Sequence, residues 1–166
     1  MHSYFNPILF DLDGTLTDPE IGITSAAQYA LRRMGISVAD RRTLRPFIGP
    51  PLHRSFQSYC RCDEATAFQA VAWYREYYNT TGIYEQAVYP GIPAVLARLR
   101  DAGRHVIMAT SKPTMYAEHI AQHFGLADYF AAIVGSELDG TRTAKAEVVA
   151  AALAALPGID PARAVM

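Results

Sequence analysis

The feature that most constrains this chain is a change of rhythm after Tyr89-Pro90-Gly91, where short apolar runs begin to alternate with amphipathic segments. Ile92, Val95, Leu96 and Leu99 recur at helical spacing and stop near Gly103. Residues 105–109 then form a compact apolar run of strand length, and Met115, Ala117, Ile120 and Phe124 return to helical spacing before Gly125. Residues 131–134 read as another strand and residues 145–156 as another helix. Strand and helix in turn, with short connections, predict an α/β fold: a Rossmann-like parallel sheet covered on both faces.

An earlier strand belongs to the same sheet. Pro7-Ile8-Leu9-Phe10 is apolar and runs into a turn at Gly14. Residues 19–89 interrupt the alternation directly after it. Asp18-Pro19-Glu20 has the order of a helix start: a capping carboxylate, a proline at the first helical position and an acid in the first turn. Ile23, Ala27, Ala30, Leu31 and Met34 follow at helical spacing up to Gly35. Residues 50–78 keep a helical pattern and carry Phe56, Tyr59, Phe68, Trp73, Tyr74, Tyr77 and Tyr78, which reads as packing. Residues 45–51, with Pro46, Gly49, Pro50 and Pro51, are expected to be a loop. The expected organisation is a core of residues 1–18 and 90–166 with a helical insertion at 19–89.

Composition narrows the function. The 166 residues are 51% hydrophobic and 19% charged, with a formal net charge of −1, which suits a globular protein. Without a basic face, neither nucleic acid nor an anionic membrane surface is an expected partner. No run approaches the ~20 apolar residues of a membrane span, and the N-terminus lacks a basic segment followed by an apolar one. Cys60 and Cys62, two apart, read as reduced thiols rather than a disulfide or metal site. A cytoplasmic location is the expectation.

The chemistry concentrates in Asp11-Leu12-Asp13-Gly14-Thr15-Leu16-Thr17, at the carboxyl end of the first strand. Ligands of open α/β sheets bind at such strand ends. Two carboxylates two residues apart can face one pocket, where they repel unless a hard cation joins them. One can then attack phosphorus while the other moves a proton. Thr110-Ser111 ends the next strand and precedes a helix, so hydroxyls and backbone N–H groups can grip a phosphate there. Lys145 opens a helix, where the dipole opposes a cation.

This sequence of motifs resembles the haloacid dehalogenase-like hydrolases, and the resemblance spans nearly the whole chain. It implies that Asp11 is a nucleophile carrying a transient phosphoryl group, and that Asp13 protonates the leaving group and activates water. Asp11 and Asp13, the latter through its backbone carbonyl, would hold Mg²⁺, Thr110 would bind the phosphoryl group, and Lys145 would neutralise charge, with Lys112 a second choice for that role. An acid at position 13 is similar to the phosphatases and mutases rather than the dehalogenases. The helical insertion corresponds to a cap. Substrate contacts are expected from Gly14, Thr15 and Ser111, and from His53 and Arg54 in the insertion. The stretch Gly135-Ser136-Glu137-Leu138-Asp139-Gly140-Thr141-Arg142 and the loop Ile48-Gly49-Pro50-Pro51-Leu52 look like the phosphoglycolate phosphatase-like branch, nearest its 5'-nucleotidase-like members.

The implied activity is Mg²⁺-dependent hydrolysis of a small phosphorylated metabolite, of nucleoside 5'-monophosphate or phosphoglycolate type, by a monomer or dimer. The alternatives are a phosphosugar mutase and a catalytically silent binding or regulatory remnant. Ala164-Val165-Met166 reads as the opening of one more strand, and the family's fourth motif, with its metal-binding acids, is not reached. The C-terminal strands of the core are therefore expected to be missing, and the 166-residue chain is expected to bind Mg²⁺ weakly and turn over slowly. A Mg²⁺-dependent rate equal to that of a longer form would refute this expectation.

Overall fold

The computed structural model describes residues 6–166, so the first five residues of the expected core segment lie outside the described residues. The chain divides into two compact units, one made of residues up to Thr17 together with Val88–Met166, the other of Asp18–Ala87. It passes between them at two short strands, β2 (Thr17–Asp18) and β3 (Ala87–Val88), which form a two-stranded sheet of their own.

The first unit is built on a parallel sheet. Strand β1 (Ile8–Phe10) pairs with β4 (Val106–Pro113) in the register Ile8↔Val106, Leu9↔Ile107, Phe10↔Met108. On the far side of β4 lies β5 (Ala132–Ser136), with Met108 opposite Ile133 and Ala109 opposite Val134. On the other side of β1, the Leu9 N–H donates to Val165 O at 2.8 Å and the Val165 N–H to Pro7 O at 3.1 Å. The chain thus crosses the sheet from β1 to β4 to β5, then returns to the opposite edge of β1. Parallel crossovers are right-handed, so α4 (Ile92–Asp101) and α5 (Thr114–His123) cover one face and α6 (Lys145–Ala154) the other. Val148 and Ala152 of α6 form a buried cluster with Leu9, Ile107 and Ala109, which alternate to that face. The reversal of direction falls at β1. That is where a sheet of this kind opens a crevice for a ligand.

The strands are longer than their apolar runs. The strand expected at 105–109 continues to Pro113, and the one expected at 131–134 shifts to Ala132–Ser136. Polar Thr110, Ser111 and Lys112 stay extended because Gly135 lets the two backbones close up. A Cβ built on Gly135 would lie 2.2 Å from Lys112 O. The register slips between Ala109 and Pro113. Helix α6 stops at Ala154 rather than 156, just ahead of Pro157.

The second unit is helical, with α1 (Glu20–Arg33), α2 (Leu52–Cys60) and α3 (Glu64–Tyr78). The single helical pattern expected over 50–78 is in fact two helices. Arg61 takes a left-handed φ of 52° and ends α2, and the Asp63 carboxylate accepts the Thr66 N–H at 2.8 Å to start α3. The apolar pattern hides this break because Phe56 of α2 and Ala67, Ala70 and Tyr74 of α3 are all buried. The expected loop at 45–51 begins as a 3-10 turn, Arg41–Phe47, that includes Pro46. Its Leu44 and Phe47 are buried, and Phe47 meets Phe56 edge-on at 4.9 Å. Helix α1 starts one residue later than expected, with Pro19 at the capping position and the Asp18 carboxylate accepting the Glu20 N–H at 3.0 Å.

Gly22 of α1 brings two backbones together. Its N–H donates to Glu85 O at 2.8 Å, and a Cβ at Gly22 would lie 1.9 Å from Gly82 O. A backbone oxygen cannot swing aside as a side-chain end can. Gly22→Ala is therefore expected to cost about 3 kcal/mol and to lower Tm by roughly 10 °C. Thermal unfolding followed by circular dichroism checks this, and an unchanged Tm would refute the close approach.

Candidate active site

Beyond Phe10 the backbone leaves the sheet in a tight turn anchored by two fully buried leucines, Leu12 and Leu16. The Leu12 carbonyl accepts N–H groups from Thr15, Leu16 and Thr17 at 3.2, 2.9 and 3.1 Å. Gly14 takes a φ of 76° and closes the loop by donating its N–H to Thr17 O at 2.8 Å. With Leu12 driven into the core, its neighbours Asp11 and Asp13 turn to the other side together.

Each acid has its own lysine. Asp11 Oδ2 pairs with Lys145 Nζ at 2.6 Å, and its Oδ1 accepts the Leu12 N–H at 2.8 Å. Lys145 also donates to Ala109 O at 2.9 Å, which ties the start of α6 to the end of the apolar part of β4. Asp13 Oδ2 pairs with Lys112 Nζ at 2.7 Å. The second pair is the more enclosed: side-chain exposure is 6% for Lys112 and 19% for Asp13, against 36% for Lys145 and 34% for Asp11. Thr110 is buried, and its hydroxyl accepts the Lys112 N–H at 3.2 Å.

The sheet therefore brings Asp11, Asp13, Thr110 and Lys145 into one polar cluster, joined by Lys112. The resemblance favours Lys145 over Lys112, which adjoins Thr110-Ser111. Its signal lay in strand alternation, since residues 110 and 112 share a side if the strand continues past Ala109. The remaining expected contacts are placed differently. Gly14 and Thr15 sit on the exposed turn with both backbone N–H groups already bonded inside it, so the Thr15 hydroxyl is what they can offer a ligand. Ser111 is exposed, and its carbonyl accepts the Ser136 hydroxyl at 2.8 Å. His53 and Arg54 lie on α2 in the helical unit, where His53 stacks on Phe68 at 5.3 Å and Arg54 is exposed.

The cluster has features of a site for a hard cation. Asp13 Oδ1 is buried and has no hydrogen-bond partner among the described residues. An orphaned carboxylate oxygen of this kind costs free energy unless something takes it up. Among the described residues no group of three or more His, Cys, Asp and Glu side chains converges. Two carboxylates nevertheless suit Mg²⁺, which keeps several of its waters and is held by one or two protein acids plus substrate phosphate. The residues present fit it. A groove of about 450 Å³, lined by Ile8, Val95, Arg98, Leu99, Arg104 and Val165 among others, lies toward the amino ends of β1 and β4 and is not part of this cluster. No helix among the described residues is long and apolar enough to cross a membrane.

Several known proteins are similar to this chain. A 5'-nucleotidase of Pseudomonas aeruginosa is 52% identical over 142 residues, covering 86% of this chain and 64% of that protein. Tyrosine-protein kinase PtkA of Mycobacterium tuberculosis is 38% identical over 159 residues, covering 96% of this chain and 54% of the kinase. The chain thus spans between about half and two thirds of the length of these relatives. A crystal structure of a predicted phosphatase from Clostridium acetobutylicum superimposes with a TM-score of 0.91 at 47% identity, over 98% of this chain and 75% of that one. The sequence profile of the haloacid dehalogenase-like hydrolases matches residues 7–166. A parallel sheet with an acidic turn after its first strand, matched along nearly its whole length by that profile, makes this chain a member of the haloacid dehalogenase-like hydrolases.

Proposed function

We propose that the chain carries the catalytic chemistry of a phosphomonoesterase, working on a small phosphorylated metabolite through an aspartyl phosphate. The observation that carries this reading is the pairing of Asp11 and Asp13 with separate lysines at the carboxyl end of β1. In the first step Asp11 attacks phosphorus, the bond to the leaving oxygen breaks, and Asp13 delivers a proton to that oxygen. In the second step Asp13 takes a proton from water, which attacks the phosphoryl group and frees Asp11. Lys145 and Lys112 offset the charge gathered on the phosphoryl oxygens, the main demand in transfers of this kind. The Thr110 hydroxyl can turn to donate to one of those oxygens. Asp11 and the backbone carbonyl of Asp13 would hold Mg²⁺, which when bound supplies further positive charge against the phosphate. The helical unit serves as the cap that selects the leaving group, with His53 and Arg54 as its candidate contacts. A nucleoside 5'-monophosphate is the favoured substrate, supported by the identity to the Pseudomonas aeruginosa 5'-nucleotidase.

With protein in excess over a panel of nucleoside monophosphates, phosphoglycolate and hexose phosphates, acid quenching is expected to trap phosphate on Asp11. Asp11→Asn is expected to abolish both trapping and phosphate release while leaving the circular dichroism spectrum unchanged. Substrate binding without any trapped phosphate would point instead to a silent binding module.

The two lysines are expected to separate by burial. Lys145→Met removes a pair about a third exposed on each side. Such a pair contributes about 1 kcal/mol or less to stability, yet its loss is expected to lower kcat by about 10²–10³-fold. Lys112→Met strands Asp13 in an enclosed position and is expected to cost on the order of 3 kcal/mol of stability as well as activity. Urea unfolding beside single-turnover rates checks both. Equal stability losses in the two variants would contradict the assignment.

A further inference from the structure

Lys145 stands at the first position of α6, where the helix dipole works against a cation. Its own bond to Ala109 O at 2.9 Å and the Glu147 carboxylate that accepts the Ala144 N–H at 3.3 Å hold the helix start itself, and the preceding loop sets where that start lies. Much of that loop is bonded only to itself. The Glu137 N–H donates to Thr141 O at 3.0 Å, and Asp139 accepts the Thr141 N–H and hydroxyl at 2.9 and 2.7 Å. These bonds shape a turn but do not fasten it to the sheet. Arg142 does. Its Nε donates to Gly135 O at 2.7 Å, and its guanidinium pairs with the Glu137 carboxylate. The side chain is partly buried, and the backbone takes a left-handed φ of 53°, which a non-glycine residue rarely adopts.

The anchor it grips is rigid. The Gly135 N–H donates to the Thr114 hydroxyl at 3.0 Å, and its Cα packs so close to β4 that a Cβ would meet Lys112 O at 2.2 Å. The adjoining Ser136 hydroxyl donates to Ser111 O at 2.8 Å. Gly135 thus belongs to the same block of backbone that carries Lys112. Arg142 ties the far end of the loop to that block, three residues before Lys145.

We propose that Arg142 is the positioning residue for Lys145: by bridging the Gly135 carbonyl and the Glu137 carboxylate, it fixes the start of α6 so that Lys145 meets Asp11. The consequence for rate rests on the phosphomonoesterase reading, but the geometric claim does not. A forked guanidinium can serve two acceptors at once, whereas an ammonium is a single point of charge.

The test uses Arg142→Gly, which suits the left-handed backbone and removes only the side chain, together with Arg142→Lys. Trinitrobenzenesulfonate labelling of the folded chain, resolved peptide by peptide by mass spectrometry, reports Lys145 and Lys112 separately and needs no turnover. In Arg142→Gly, Lys145 is expected to label faster by at least about threefold while Lys112 does not, as a local opening requires. Arg142→Lys is expected to fall between the two. A smaller change at Lys145, or an equal rise at Lys112, overturns the proposal. Where the wild type turns over, Arg142→Gly is expected to lower kcat by up to about 10²-fold with KM little changed. A failure of the phosphomonoesterase reading would leave the labelling result standing, so the two are told apart.

Discussion

Two carboxylates held side by side after one strand repel each other, and the structure of the first unit is organised around relieving that repulsion. Asp11 and Asp13 cannot separate, because Leu12 between them is fully buried and its carbonyl closes the turn. Opposite charge has to be brought to them. The two lysines come from different elements, one on the polar tail of β4 and one at the start of α6. Both elements must therefore end over the tip of β1. The strand order that places β4 beside β1 and returns the chain past β5 achieves this. It also sets the acids at the point where the sheet reverses direction, which is where open α/β sheets accept ligands.

Gly135 shows how local backbone chemistry sets the geometry of the site. Without a side chain it lets β5 run close beside the polar tail of β4, so that Thr110 and Lys112 remain on an extended backbone rather than entering a helix. Its N–H and carbonyl are both occupied by side chains, Thr114 on one side and Arg142 on the other. One residue with nothing to contribute chemically thereby fixes the frame from which both lysines extend. A larger residue here would push against the backbone of Lys112 and Thr114.

Much of this was legible in the sequence, for a physical reason. Buried strands and amphipathic helices announce themselves by apolar periodicity, so β1, the apolar half of β4 and helices α1, α4, α5 and α6 could be located from residue spacing. The acids at 11 and 13 stood out because nothing in a plain turn requires that order of residues. What the sequence concealed were features set by long-range packing. The break at Arg61–Asp63 was hidden because helices on both sides bury apolar residues. The extension of β4 through Thr110 and Lys112 was hidden because those residues are polar, and only the glycine on the neighbouring strand keeps them extended. The partnership of Lys112 with Asp13, 99 residues apart, has no local signature at all.

The charge inventory of the site connects its resting state to the proposed chemistry. Two carboxylates and two ammoniums sum to zero, so the four side chains balance one another's charge. A phosphate dianion arriving alone would leave two negative charges uncompensated, and a divalent cation alone would leave two positive ones. Partly enclosed charges interact with an energy of about 4 kcal/mol at contact distance for an effective dielectric near 20, so neither imbalance is cheap. Arriving together, the two restore neutrality. On this reading phosphate ester and Mg²⁺ reinforce each other's binding.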